Sequence, residues 1–78
     1  MSFNLADRHP DTQEKLGWLV PNPNLPLGKP ATVSHLFYEL GMDLADQLSD
    51  GPQLIISLQH CIDAKDAAVR QALADTRR

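Results

Sequence analysis

Lys29, Thr32, Ser34 and His35 surround the start of the first strongly patterned segment of this 78-residue chain. The start of a helix presents unpaired backbone N–H groups and the positive end of the dipole, so it attracts an anion. Lys29 and His35 would add charge there, and Thr32 and Ser34 would add hydroxyl donors. Trp18 and Tyr38 could stack on a planar ring, with Asn22 beside Trp18 in the approach to the helix. Lys65 and Arg70 could reach the same place from a second copy of the chain. A plainer reading stands next to this one: Thr32 as a cap, Lys29 as a surface residue and Trp18 as a core anchor.

Other reactive side chains do not assemble into a catalytic set. Cys61 falls within an apolar pattern and reads as a small core hydrophobe. His60 is its neighbour, but adjacent helical residues point about 100° apart, so the two form no dyad. His60, Cys61 and Asp63 do not converge on a tetrahedral metal either. Asp43 and Asp46 lie one turn apart and read as a solvated acidic face. There is no glycine-rich phosphate loop and no nucleophile elbow, and the expectation is a protein that is not an enzyme.

Composition narrows the class further. A chain of this length holds one small domain, since below roughly 80 residues a single core rarely supplies more than about 3–5 kcal/mol. Apolar residues make up 42% and charged residues 22% of the chain, which is ordinary for a globular protein. The single cysteine excludes an intramolecular disulfide and a multi-cysteine zinc site. No apolar run is long enough to span a bilayer and the N-terminus lacks a signal-peptide core, so a cytoplasmic location is expected. Charge is uneven: residues 1–30 balance, residues 31–50 carry four acids and no Lys or Arg, and residues 51–78 carry one net positive charge. Duplex nucleic acid wants a basic patch, and none is visible; Arg77 and Arg78 read as a solvated end. A helix–turn–helix reading also fails, because the second helix is acidic at Asp63 and Asp66 and starts on an unsuitable Pro-Gln-Leu-Ile turn.

The elements that must position these residues are helices. Residues 1–9 have no clear periodicity. Within the N-terminal segment 1–17, residues 10–17 have the marks of a short helix: an early proline, acids in the first turn and Gly17 as a stop. Residues 18–30 contain four of the six prolines and read as an extended strap. The strap also carries Trp18, Leu19, Val20, Leu25 and Leu27, which suggests that it lies in a groove between helices. Residues 32–48 form the first firm helix, with Thr32 or Ser34 as its cap. Val33, Leu36, Phe37, Leu40, Leu44 and Leu48 make its apolar stripe. Gly41 in its middle is either tolerated or marks the close approach of another backbone. Ser49-Asp50-Gly51-Pro52 breaks the chain, and residues 52–75 form a second helix about 36 Å long at 1.5 Å per residue.

The second helix has two apolar faces. Ile55, Leu58, Ile62, Val69 and Leu73 form one, while Leu54, Cys61, Ala64, Ala68 and Ala72 form the other. The expected fold is therefore all-α: an antiparallel two-helix hairpin with an N-terminal strap, in a single domain over 1–78. One hairpin cannot hide both faces, so the expectation is an oligomer joined through the alanine-rich face of residues 61–72. The competing arrangement has residues 1–27 fold back over that face.

Three stretches carry a resemblance to a known family: WLVPNPN (18–24), VSHLFYELGMDL (33–44) and SLQHCIDAKDAAVR (57–70). Together they resemble the small helical-hairpin phage proteins that sequester cyclic oligonucleotide signals of the CBASS bacterial immune system. The likeness covers roughly residues 18–72. It implies a compact hexamer that binds cyclic dinucleotides between protomers, with cyclic trinucleotides at a separate site in some members, and no catalysis. Trp18 would stack on a base. A basic residue that the family carries on its first helix falls near Tyr38 here, and the loop between the helices is shorter. His35, Lys29 or the helix start would then have to meet the phosphates.

Overall fold

The computed structural model describes residues 5–76, so Arg77 and Arg78 lie outside the described residues. A single 3-10 turn over Leu5–Asp7 precedes three helices: α1 (Pro10–Leu19), α2 (Lys29–Gln47) and α3 (Pro52–Thr76). There is no strand among the described residues.

α1 is longer than the sequence suggests. Pro10 occupies its first turn, where a missing N–H costs nothing. His9 caps it, its Nδ1 accepting from the Asp11 N–H at 3.1 Å. The helix runs through Gly17 and takes in Trp18 and Leu19, both assigned above to the strap. Pro21 constrains only the residue before it, Val20, which is where the helix gives way to an extended backbone.

Residues 20–28 are a loop of turns and not an extended strap. Asn22 Oδ1 accepts from the Asn24 N–H at 2.9 Å, an Asx turn that folds the loop on itself. Val20 and Leu27 are exposed, Leu27 to 94%, and Leu25 and Pro21 are partly covered. Gly28 ends the loop at φ 98°, a backbone conformation that suits glycine.

α2 begins three residues earlier than expected. Gly28 is its N-cap and Pro30 lies in its first turn. The Thr32 N–H already donates to the Gly28 carbonyl at 2.9 Å, so Thr32 and Ser34 are helical residues and neither caps. The face that α2 turns inward also differs from the leucine stripe. Its buried residues are Pro30, Ser34, Gly41 and Ala45, while Leu36 stays 58% and Leu40 45% exposed. The cause is α1. Leu16 and Leu19 are fully buried and fill the space against α2 and α3. A Cβ built on Gly41 would overlap Leu19 Cδ1 and touch Leu16 Cδ2 at 3.6 Å. What approaches Gly41 is thus a side chain rather than another backbone, and the small residues of α2 are its seat.

α3 follows after the break at residues 48–51. The ion pair between Lys29 Nζ and Asp75 Oδ2, 3.2 Å, places the start of α2 beside the end of α3, so the two helices run antiparallel. Leu54 and Leu58 join Leu16, Leu19 and Ala45 in the core, with Phe37, Tyr38, Met42, Leu44, Cys61 and Ile62 partly buried around it.

Polar side chains hold α1 at both ends. At its start, Arg8 donates through Nη1 to the Ala45 carbonyl and through Nη2 to the Leu48 carbonyl at 2.8 Å, capping the end of α2. Asp50 accepts from the His9 N–H and from the Thr12 hydroxyl, each at 2.9 Å, at the start of α1. At the other end, Lys65 donates to the carbonyls of Trp18 at 3.0 Å and Val20 at 3.2 Å.

Candidate functional site

The residues singled out from sequence do not form one cluster. Trp18, Asn22 and Lys65 meet in one groove of about 280 Å³, completed by Leu25, Ile62, Asp66 and Val69. α1 brings Trp18, the loop brings Asn22 and Leu25, and α3 brings the rest. One wall is aliphatic, Trp18 stands 64% exposed at the edge, and Lys65 and Asp66 supply opposite charges. Lys65 was expected to come from a second copy of the chain. It instead shares the groove with Trp18 of its own chain, because its ammonium caps the last turn of α1. Burial lowers the Lys65 pKa from its ordinary value.

Arg70 lies one turn beyond Asp66 on α3 and pairs with it, Nη2 to Oδ2 at 3.2 Å. Both side chains are largely exposed. Such i,i+4 pairs contribute little in water, so Arg70 can turn to another anion at small cost.

Thr32 and His35 belong to a second, shallower hollow of about 390 Å³, with Leu27, Gly28, Ala31, Leu36 and Glu39. The His35 ring stacks on Tyr38 with centroids 6.1 Å apart, and His35 Nε2 lies 3.9 Å from Glu39 Oε1. Lys29 is drawn across to Asp75, whose carboxyl is lowered from its ordinary pKa by hydrogen bonds from Gln71 and Lys29.

Ser34 leaves the predicted set. It is fully buried on the inward face of α2, and its Oγ has no hydrogen-bond partner. The cluster around the start of α2 is dispersed for a simple reason. The helix starts at Lys29 rather than near Thr32, so Ser34 and His35 stand in its second turn and point to different sides.

Sequence reasoning missed a third hollow, about 310 Å³, at the start of α1 and α3: His9, Asp11, Thr12, Asp50, Gly51, Pro52 and Ile55. Asp50 is its charged centre. The His9 N–H, and then the Thr12 hydroxyl and the Arg8 guanidinium, hold the Asp50 carboxyl below the usual carboxylate range. Its hydrogen bonds are internal, and they serve the joint between helices. The only hint in the sequence is that Asp50 precedes a Gly-Pro break; nothing local ties it to residues 41 positions upstream.

Cys61 is half-buried, and burial raises its thiol pKa, which disfavours the thiolate. Among the described residues, no group of three or more His, Cys, Asp or Glu side chains is placed to hold a metal ion. No described helix is long and apolar enough to cross a membrane. Comparison with known proteins finds no matching family model, no matching curated protein and no matching solved structure.

Proposed function

We propose that this protein binds and withholds a nucleotide-type signal without transforming it, and that the Trp18 groove takes the planar ring. The observation that carries this reading is the convergence of Trp18, Asn22 and Lys65, from two helices and a loop, on one groove with an aliphatic wall. An exposed indole beside an apolar wall suits a base, and stacking of this kind is worth about 1–3 kcal/mol per base. Asn22 can pair with the ring edge. Lys65 and Arg70 offer positive charge on the same stretch of α3 for a phosphate.

The groove offers a single exposed aromatic ring, Trp18, for one base. A cyclic dinucleotide carries two bases, so it calls for a second copy of the chain, in line with the family the sequence resembles. Cyclic di- or trinucleotides are the proposed ligands, held by a homo-oligomer in a bacterial cytoplasm.

Titration of the protein with a panel of cyclic dinucleotides and trinucleotides tests this. A ligand of the groove quenches Trp18 fluorescence, raises Tm through linkage, and is recovered intact after denaturation. No quench and no Tm shift with any of the panel, at ligand well above protein, overturns the reading. Recovery of a linearised product would make the protein a hydrolase instead.

The exposed pair Leu36 and Leu40 favours a second reading, a helical module that docks a partner protein. Stoichiometric recovery of one protein with no nucleotide would support it over the first.

A further inference from the structure

We infer that α2 pairs with α2 of a second copy, antiparallel across a two-fold axis, with Leu36 of one chain against Leu40 of the other. This inference does not rest on the ligand reading, since none of the Trp18 groove residues lies on the surface concerned.

The starting point is the inverted placement of side chains on α2. Its small residues Ser34, Gly41 and Ala45 face the core, and its leucines 36 and 40 face out. A single polypeptide gains nothing by leaving two leucines one turn apart in water, since each fully buried leucine is worth about 1.5–3 kcal/mol. At about 100° per residue, Lys29, Leu36, Leu40 and Gln47 fall within one sector of about 40°. Val33 and Leu44, both half-buried, flank that sector on the side toward the core. The strip is therefore apolar in the middle and polar at its two ends.

Charge selects the occupant and its direction. Lys29 is the only Lys or Arg in α2 and stands at its start, whereas Asp43 and Asp46 stand near its end. A parallel copy would set Lys29 beside Lys29 and the acids beside acids. An antiparallel copy centred between Leu36 and Leu40 pairs each leucine with the other and brings Lys29 within a turn of Asp43 and Asp46 at both ends. The surface is then self-complementary, as an isologous interface must be. Lys29 can leave Asp75 for this contact, because their pair is exposed and worth little.

Light scattering of the wild type at micromolar concentration and of the Leu36→Glu/Leu40→Glu variant tests the proposal. The wild type is expected as a dimer or a larger even-numbered assembly, and the variant as a folded monomer with unchanged helical circular dichroism. Cross-linking tests the register even if that variant fails to fold. In a Cys61→Ser background, a mixture of Leu36→Cys and Leu40→Cys chains should form more interchain disulfide than either chain alone. A monomeric wild type overturns the proposal, as does an assembly that survives the double substitution. A mixture that cross-links no better than the separate chains overturns it too. If Ala64→Glu/Ala68→Glu dissolves the assembly and the leucine substitutions do not, the copies meet through α3 instead. Trp18→Ala should leave assembly intact while abolishing the ligand-induced rise in Tm, so loss of ligand binding and loss of pairing are read separately.

Discussion

Arg8 and Asp50 each cap the other's helix. The Arg8 guanidinium takes the last carbonyls of α2, the segment that leads into Asp50, and the Asp50 carboxylate takes an amide and a hydroxyl at the start of α1, the segment that Arg8 leads into. The two side chains meet at 2.9 Å between Nε and Oδ1. A single ion pair thereby ties the end of α2 to the start of α1, and one part of the fold's pH response follows from it.

The Asp50 carboxyl has a lower pKa in the folded chain than in the unfolded one, chiefly because the His9 N–H donates to it. A depressed carboxyl stabilises the fold above its unfolded pKa, and that contribution disappears as pH falls through the folded value. Asp50→Asn should lower Tm at neutral pH. The difference in Tm from the wild type should shrink steadily below about pH 4, near the ordinary aspartate pKa. Thermal melts of both proteins from pH 7 to pH 2 measure it, and a difference independent of pH would contradict the assignment.

Two glycine substitutions should act in opposite directions. Gly41→Ala places a Cβ against Leu19 Cδ1 and should cost about 1–3 kcal/mol. Gly17 is helical with nothing within 4 Å of an added Cβ, so Gly17→Ala should stabilise by about 0.5–1 kcal/mol. Urea denaturation gives both values. Adding Leu19→Val to Gly41→Ala should recover part of the loss, the coupling expected of residues in contact.

The two expected helices were legible from their apolar periodicity and from the Asp50-Gly51-Pro52 break between them, although the start of α2 lies at Lys29 and not at residue 32. The third was read too short. Proline restrains only its immediate predecessor, so Pro21 left Trp18 and Leu19 free to be helical. The inward face of α2 was misread for a different reason. Hydrophobic size signals burial only where there is room, and the leucines of α1 occupy the room beside Gly41 and Ala45. The Trp18 groove was legible as residue types but not as a place, because Lys65 reaches it across 47 positions of sequence.

Trp18 offers a clean separation of binding from folding. Its side chain is mostly exposed, so Trp18→Ala should change stability by no more than about 0.5 kcal/mol. If the groove stacks a base, the same substitution should weaken cyclic nucleotide binding about tenfold or more. Calorimetric titration beside a thermal melt reads the two quantities.

Lys65 combines both roles. Lys65→Met keeps the aliphatic stem and removes the ammonium from the carbonyls of Trp18 and Val20. The last turn of α1 should fray, with a stability loss of about 1 kcal/mol. Amide exchange should quicken at residues 18–20 while the amides of α3 stay protected. Uniform loss of protection along the whole chain would show that the contact supports the global fold rather than the end of one helix.

The fastenings of α1 also set a timetable for synthesis. α1 precedes α2 and α3 in the chain, yet its seat at Gly41 is made 22 residues after Leu19, its anchor Asp50 comes 42 residues after Arg8 and its cap Lys65 comes 47 residues after Trp18. α2 and α3 need only a short reversal to find each other, and local contacts form fast. Leu16 and Leu19 must therefore wait in solvent until most of the chain exists. Of the three described helices, the one made earliest is the last to have all its contacts available.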